Sequence, residues 1–391
     1  MTRRFQAFAV LVVLLAMSAT AVADVTTSFY GYIKLDASYD SAMTNDGDFA
    51  YIVLPYEDGE EDDEFNMTAK QTRFGVKFNG GGTDAVDMSG VIEFDFYGGG
   101  AENKPNPMLR KAYMLFKTSA VDILAGQTSD VISPIVPTTL NYIVMWKSGD
   151  IGYRRPQIRL TKAVAVADNA KLKFAVSANR SMGRDKNGGE TVGMPSFQGR
   201  VAVGTKIMGQ AMEFGVSGLM GREEAIHADT ETIYELDSSV VAVDVTLPLG
   251  DMVALKGQYF TGKNLSAYLG GIGQGIATVQ PEGDVYEELV EIEASGWWAQ
   301  LTVKPVENWQ FNVGAGWDDP EIDDLVVGEM LDKNTTYFGN AIWTVTPSAA
   351  VGVEYTMIET EYRFQEEEER AEVSNESYQN SRLQLSFMYK F

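Results

Sequence analysis

The stretch that decides the fold is the last one, Arg382-Leu383-Gln384-Leu385-Ser386-Phe387-Met388-Tyr389-Lys390-Phe391. Its odd-numbered positions are apolar or aromatic throughout, and its even-numbered positions are mostly polar or charged. A period of two is the period of a β-strand, not of a helix. One face of this strand suits an apolar medium and the other suits water. A soluble β-sandwich could end in the same way, so the weight has to come from the rest of the chain.

Working outward, the same period recurs in segment after segment, separated by Gly, Asp, Asn and Pro clusters. The first, Ser28 to Tyr39, sets Phe29, Ile33, Leu35 and Tyr39 against Tyr32, Lys34, Asp36 and Ser38. The second, Met67 to Phe78, sets Phe74, Val76 and Phe78 against Gln71, Arg73 and Lys77. Strands are further predicted over Val86–Tyr97, Met108–Lys117, Val121–Thr128, Ile151–Lys162, Lys171–Asn179, Phe197–Ile207 and Met212–Met220. Ser239–Leu247, Val253–Thr261, Ser295–Lys304, Trp309–Trp317, Thr335–Thr344 and Ala349–Ile358 follow, and Tyr378–Phe391 closes the series. That makes sixteen, an even number, as a closed bacterial barrel requires. The 368 residues from Asp24 to Phe391 allow about 23 for each strand with its connection, which leaves room for short turns alternating with long loops. The fold class predicted is therefore all-β, a transmembrane antiparallel β-barrel.

The N-terminus carries Arg3 and Arg4, an apolar run from Phe8 to Met17, and Ala21-Val22-Ala23 before Asp24. These are the three parts of a cleavable secretory leader, so residues 1–23 are expected to be a signal peptide and 24–391 a single barrel domain. Beyond the leader no apolar run reaches the roughly 18 residues of a helical span. There is no cysteine, which excludes disulfides and thiolate metal sites. The formal charge is −24, and loss of Arg3 and Arg4 would make the chain two units more negative, so nucleic acid is excluded as a partner.

Charged residues inside an alternating strand must face away from lipid, because a cation at the bilayer midplane costs about 2–4 kcal/mol. On that argument Arg73, Lys77, Lys111, Tyr153, Arg155 and Arg159 face the lumen and form a basic ladder there. The alternative is that they pair with carboxylates and merely hold loops in place. Ser129 to Asp150, with Asp130, Pro134, Trp146 and Lys147, is too long and too apolar for a surface loop; it folds into the lumen or packs on a neighbouring barrel. The connections Asp40–Asn66, Gly262–Ala294 and Glu359–Asn375 are expected to lie outside the cell, and Gly270 to Gly275 to be a flexible loop. The acidic runs Glu57 to Glu64 and Glu366 to Glu369 are either solvated or bridged by divalent cations to lipopolysaccharide. His227 lies in a polar connection with no serine partner in view. No HExxH, P-loop or dinucleotide fingerprint occurs, so neither an enzymatic activity nor a cofactor is expected.

Several longer stretches carry a family resemblance: Gly31 to Asp36, Phe65 to Arg73, Tyr97 to Asn103, Ala125 to Asp130, Thr138 to Tyr142 and Gly152 to Gln157. In these the sequence resembles the DcaP-like trimeric porins of Gram-negative outer membranes. The second half matches mainly in strand rhythm and in the terminal Phe391. The resemblance implies a sixteen-stranded homotrimer in outer-membrane lipid and lipopolysaccharide, a constriction lined by basic groups, and passage of small hydrophilic solutes, small anions such as dicarboxylates among them. Arg73, Arg155 and Arg159 fall in or beside matching stretches and face inward; Lys77, Lys111, Asp130 and Tyr153 complete the expected pore lining. Family members can carry an N-terminal helical extension, whereas here the first strand is expected within a few residues of Asp24, which would leave the barrel surfaces to hold the trimer. The alternative function is a closed barrel serving as an adhesin or envelope anchor.

Overall fold

In lipid every backbone N–H and C=O must be paired within the protein, which only helices and closed sheets achieve. The computed structural model closes its sheet. It describes residues 25–57, 62–182, 191–207, 209–226, 231–279, 288–322, 328–365 and 373–391. The expected leader, His227, residues 58–61 of the first acidic run and Glu366 to Glu369 lie outside the described residues.

Sixteen strands form the wall. They are β1 (Thr26–Asp40), β2 (Glu64–Thr68 and Arg73–Asn79), β3 (Val86–Asp95), β4 (Met108–Thr118), β5 (Asp122–Ser129), β6 (Arg154–Ala167), β7 (Ala170–Asn179) and β8 (Ser196–Ile207), then β9 (Gln210–Ile226), β10 (Ile233–Pro248), β11 (Val253–Lys263), β12 (Glu293–Val306), β13 (Trp309–Pro320), β14 (Gly328–Thr346), β15 (Ala349–Gln365) and β16 (Val373–Lys390). Each pairs antiparallel with its sequence neighbours, and β1 pairs with β16 from Tyr32↔Lys390 to Asp40↔Arg382, closing the barrel.

The faces follow the expected alternation. On β16, Leu383 and Phe387 are about half exposed to the surroundings, whereas Arg382 and Gln384 are buried at 1% and 2%. Such a surface inverts that of a water-soluble protein, in which Arg and Gln stay outside. Trp309 and Trp343 stack across β13 and β14 with centroids 5.9 Å apart, at the end where the connections are short, as an interfacial aromatic girdle requires.

Two expectations about strand extent are corrected. The second strand is not continuous: residues 69–72 turn out of the ladder, with Thr72 N–H donating to Ala69 O, and Lys70 reaching Asp48 in the first long loop. β9, β10, β14, β15 and β16 run 16 to 19 residues, longer than their alternation suggests. Beyond the lipid band both faces meet polar surroundings, so the hydrophobic signal fades while the backbone pairing continues. The loop expected over Glu359–Asn375 is correspondingly shorter, because β15 extends to Gln365.

The long connections do not simply lie outside. Ala42, Ala50, Ile52 and Val53 of the first loop pack with Ile272, Ile358, Tyr362 and Tyr378 in one buried cluster. The glycine-rich stretch forms a short 3-10 turn, Gly271–Gly273, after another at Ser266–Tyr268, and Ile272 is 1% exposed. Its glycines serve close packing rather than mobility.

Candidate pore constriction

The connection after β5, residues 130–153, is anchored to polar side chains of the inner wall in spatial sequence. Gln198 on β8 accepts from Val131 N–H at 2.6 Å, and Gln258 on β11 donates to Ile132 O at 2.8 Å. Gln300 on β12 accepts from Thr138 N–H at 2.6 Å, and Asn340 on β14 donates to Thr138 O at 2.8 Å. At the far point Glu354 on β15 accepts the backbone N–H groups of Leu140 (2.6 Å) and Asn141 (2.9 Å). Lys34 on β1 (2.8 Å) and Gln384 on β16 (3.0 Å) donate to Leu140 O. On the return, Asn334 of β14 donates to Lys147 O at 2.8 Å.

The inward loop therefore lies against the wall from β8 round to β1. Charge-assisted bonds to backbone groups, such as those of Glu354, are about twice as strong as neutral ones. The backbone is also held in uncommon conformations: Val144, Met145 and Lys147 have φ of 47°, 64° and 63°. For the β-branched Val144 that conformation persists only where neighbours impose it.

The sector from β2 to β6 faces the loop from the other side and carries a cluster of cations. Glu93 of β3 is their hub: Arg110 Nε lies 3.1 Å, Arg73 Nε 3.7 Å and Lys111 Nζ 3.9 Å from its carboxylate, and Tyr30 donates to it at 2.8 Å. Arg73 lies 5.2 Å over the Tyr32 ring and Lys77 4.7 Å over Tyr30. Arg159 donates to Gln157 Oε1 at 2.8 Å and to Ser129 O. Tyr153 accepts from Arg154 at 2.7 Å, and Arg154 also lies 5.8 Å over Trp146. Arg73, Lys111, Tyr153 and Arg159 are half-buried and Lys77 is exposed.

Two expected pore residues are placed differently. Asp130 and Arg155 form an ion pair at 2.7 Å with both side chains fully buried. Arg155 also stacks 4.0 Å over Tyr268 and donates to Ala267 O at 3.0 Å. Asp130 accepts from Tyr153 N–H and from Gln198 Nε2, both at 2.8 Å. The pair fastens the loop base to the wall and offers nothing to solute, because a charge sealed by its partner presents no free face.

Arg110 and Arg154 were not among the expected residues. The ladder between β3 and β4 shifts register between Glu93 and Phe94: Glu93 opposes Lys111, Phe94 opposes Leu109, and Arg110 is left over. This bulge lets two consecutive residues point inward. The signal was in the sequence, because strict alternation would have put either Arg110 or Lys111 into lipid. Arg154 sits where β6 leaves the loop, so alternation does not govern it. Among the described residues no three His, Cys, Asp or Glu side chains converge as metal ligands.

A family model for Gram-negative porins matches residues 7–389. No curated protein matches the chain in sequence. Among solved structures, the outer membrane channel DcaP of Acinetobacter baumannii superposes with a TM-score of 0.72 at 20% identity, covering 95% of this chain and 99% of that one. The anion-selective porin of Comamonas acidovorans superposes at 0.57 with 9% identity, over 94% of this chain and all of that one. The trimer form of OmpT of Vibrio cholerae gives 0.53 at 14%, over 94% and 99%. At these identities the structures establish the fold. With a closed sixteen-stranded barrel, a polar lumen narrowed by its own loop, and a family match over nearly its whole length, the chain belongs to the Gram-negative porin family of the outer membrane.

Proposed function

We propose that this porin passes small hydrophilic solutes by passive diffusion and favours small anions, dicarboxylates among them, while working as a homotrimer in outer-membrane lipid and lipopolysaccharide. The observation that carries the preference is the one-sidedness of the charge. Six cations stand in the sector from β2 to β6: Arg73, Arg110 and Lys111 lie around Glu93 and Asp95, and Lys77, Arg154 and Arg159 sit on rings or neutral oxygen acceptors. The facing loop has only two carboxylates, Asp130 and Asp150, and both are buried. Among the described residues the wall behind that loop also carries carboxylates, Asp36, Asp40, Asp318 and Glu354 among them, but these are buried. The loop therefore turns no exposed carboxylate toward the basic sector, and the field there is read as positive although the whole chain is at −24. In a narrow lumen with low-dielectric walls such a patch focuses the field and raises the local anion concentration.

Surface carboxylates at the mouth act only over a Debye length of about 8 Å in physiological salt, which leaves the constriction to set the sign. The similarity to an anion-selective porin is one of fold and adds plausibility to the architecture alone. The test is the reversal potential of the purified protein in a planar bilayer across a potassium chloride gradient. Chloride preference with conductance steps in threes supports the reading. Potassium preference would keep the pore and discard the anion filter, whereas a folded barrel without conductance would leave the anchor role.

A further inference from the structure

A cavity of about 400 Å³ opens just above the basic sector, between the first, second and inward loops. Its most regular feature is a chain of aromatic rings drawn from three separate loops. Tyr51 and Phe49 stack at 5.7 Å, Phe49 meets Tyr97 at 5.4 Å, and Tyr97 lies over Tyr142 at 4.1 Å. Tyr142 continues to Trp146 at 6.2 Å and Trp146 to Tyr153 at 5.2 Å. The run leads from the loop surface to the cation cluster, since Arg110 donates to the Tyr142 hydroxyl at 3.0 Å.

The cations at this cavity are already compensated. Lys70 is paired with Asp48, Arg110 with Asp95 and Glu93, and the Lys147 ammonium lies 4.3 Å over the Tyr51 ring. What remains for a ligand is ring faces together with hydrogen-bonding groups. Two further polar atoms in its lining, the Tyr97 hydroxyl and the Trp146 indole nitrogen, are buried and make no hydrogen bond within the protein. A volume of this size is at the low end of small-ligand pockets.

We propose that this cavity is a vestibule subsite for an uncharged, ring-shaped polyol, a sugar pyranose in chemical class, which lays its C–H face on the Trp146 ring beside Tyr142, set 83° to it, and turns its hydroxyls to the Asp48–Lys70 rim. An anion would gain little here beyond what the constriction below already offers, because each nearby cation has its own carboxylate or ring. A flexible polyol has the hydroxyls but no flat face to stack. The proposal rests on the channel reading and adds a second selectivity, by shape, ahead of the one by charge.

The test is single-channel recording with glucose, open-chain sorbitol or benzoate added to the long-loop side. Glucose is expected to interrupt the current in a concentration-dependent way and sorbitol at equal concentration is not. Trp146→Leu or Tyr142→Leu is expected to raise the half-blocking glucose concentration about tenfold, the scale of one lost aromatic contact. Trp146→Phe, which keeps a ring, should raise it less, and this variant decides the matter where a leucine variant yields no channels. Equal block by sorbitol, indifference to these substitutions, or block by benzoate without block by glucose would overturn the subsite. Absence of conductance without any solute would overturn the channel reading instead, and normal conductance with no glucose block would overturn the subsite alone.

Discussion

The Arg155 guanidinium lies 2.7 Å from the Asp130 carboxylate with both side chains sealed from solvent, so the first residue of the inward loop is locked to the start of the strand after it. Breaking a buried pair by removing one partner leaves a stranded charge and costs about 3–5 kcal/mol. Arg155→Ala is therefore expected to release the base of the loop, raise single-channel conductance and lower the temperature at which the barrel loses its heat-modifiable gel mobility. An unchanged conductance with a weakened anion preference would instead put Arg155 in the solute path.

The half-buried cations should control selectivity. Arg73→Ser, Lys111→Ser and Arg159→Ser, each removing one positive charge from the open sector, are expected to move the reversal potential stepwise toward the cation side, with the triple variant abolishing chloride preference. Lys77→Ser should shift it least, because Lys77 is exposed and rests on the Tyr30 ring rather than on a carboxylate. Salt-gradient recordings on the four variants check the order, and a large effect of Lys77 alone would relocate the filter toward the short-turn end.

Glu93 works against its neighbours. Its carboxylate is shared by Arg73, Arg110 and Lys111, so Glu93→Gln is expected to strengthen chloride preference at low salt. The gain should vanish near 1 M salt, where the Debye length falls to about 3 Å. Arg110 keeps Asp95 as a partner in this variant, so the barrel should still fold. A salt-independent gain would point to a change of pore shape rather than of field.

These residues also mark what a sequence of this kind discloses. Alternation located all sixteen strands and the inward faces of Lys34, Arg73, Lys111 and Arg159, because lipid penalises every misplaced charge. Alternation alone passed over Arg110, which only the lipid penalty on two adjacent cations betrays, and it did not reach the outer ends of β9 and β10, where Gly221-Arg222-Glu223-Glu224 meets polar surroundings on both sides. Nor could it separate Arg155 from Arg159. Both face inward two strand steps apart, and only the course of the loop decides that one is covered and the other left partly open.

Gly149 tests how tightly that loop is seated. It has φ of 100°, and a Cβ there would stand 2.0 Å from Trp297 O. Backbone cannot yield as a flexible side chain does, so Gly149→Ala is expected to unseat the return limb of the loop, giving noisier and larger conductance with the anion preference retained in sign. A variant indistinguishable in conductance would mean that the limb moves freely in the native channel.

Asp150 adds a dependence on pH to the same limb. It is fully buried in the inward loop, and burial pushes its carboxyl well above the ordinary range, only partly offset by Trp298 and Lys256. A carboxyl with a raised pKa in the seated loop and an ordinary one in the released loop favours seating fully only below the ordinary carboxylate pKa. As the pH climbs above about 4, the released form gains by ionising and the seated form does not. The loop should accordingly be held best in acid and loosen progressively toward alkaline pH. Current noise recorded from pH 4 to pH 9 is expected to rise in the native protein and to stay flat in Asp150→Asn, which keeps the shape and removes the ionisation. The same rise in Asp150→Asn would assign the effect to another group, and a fall with pH in the native protein would reverse the sign argued here.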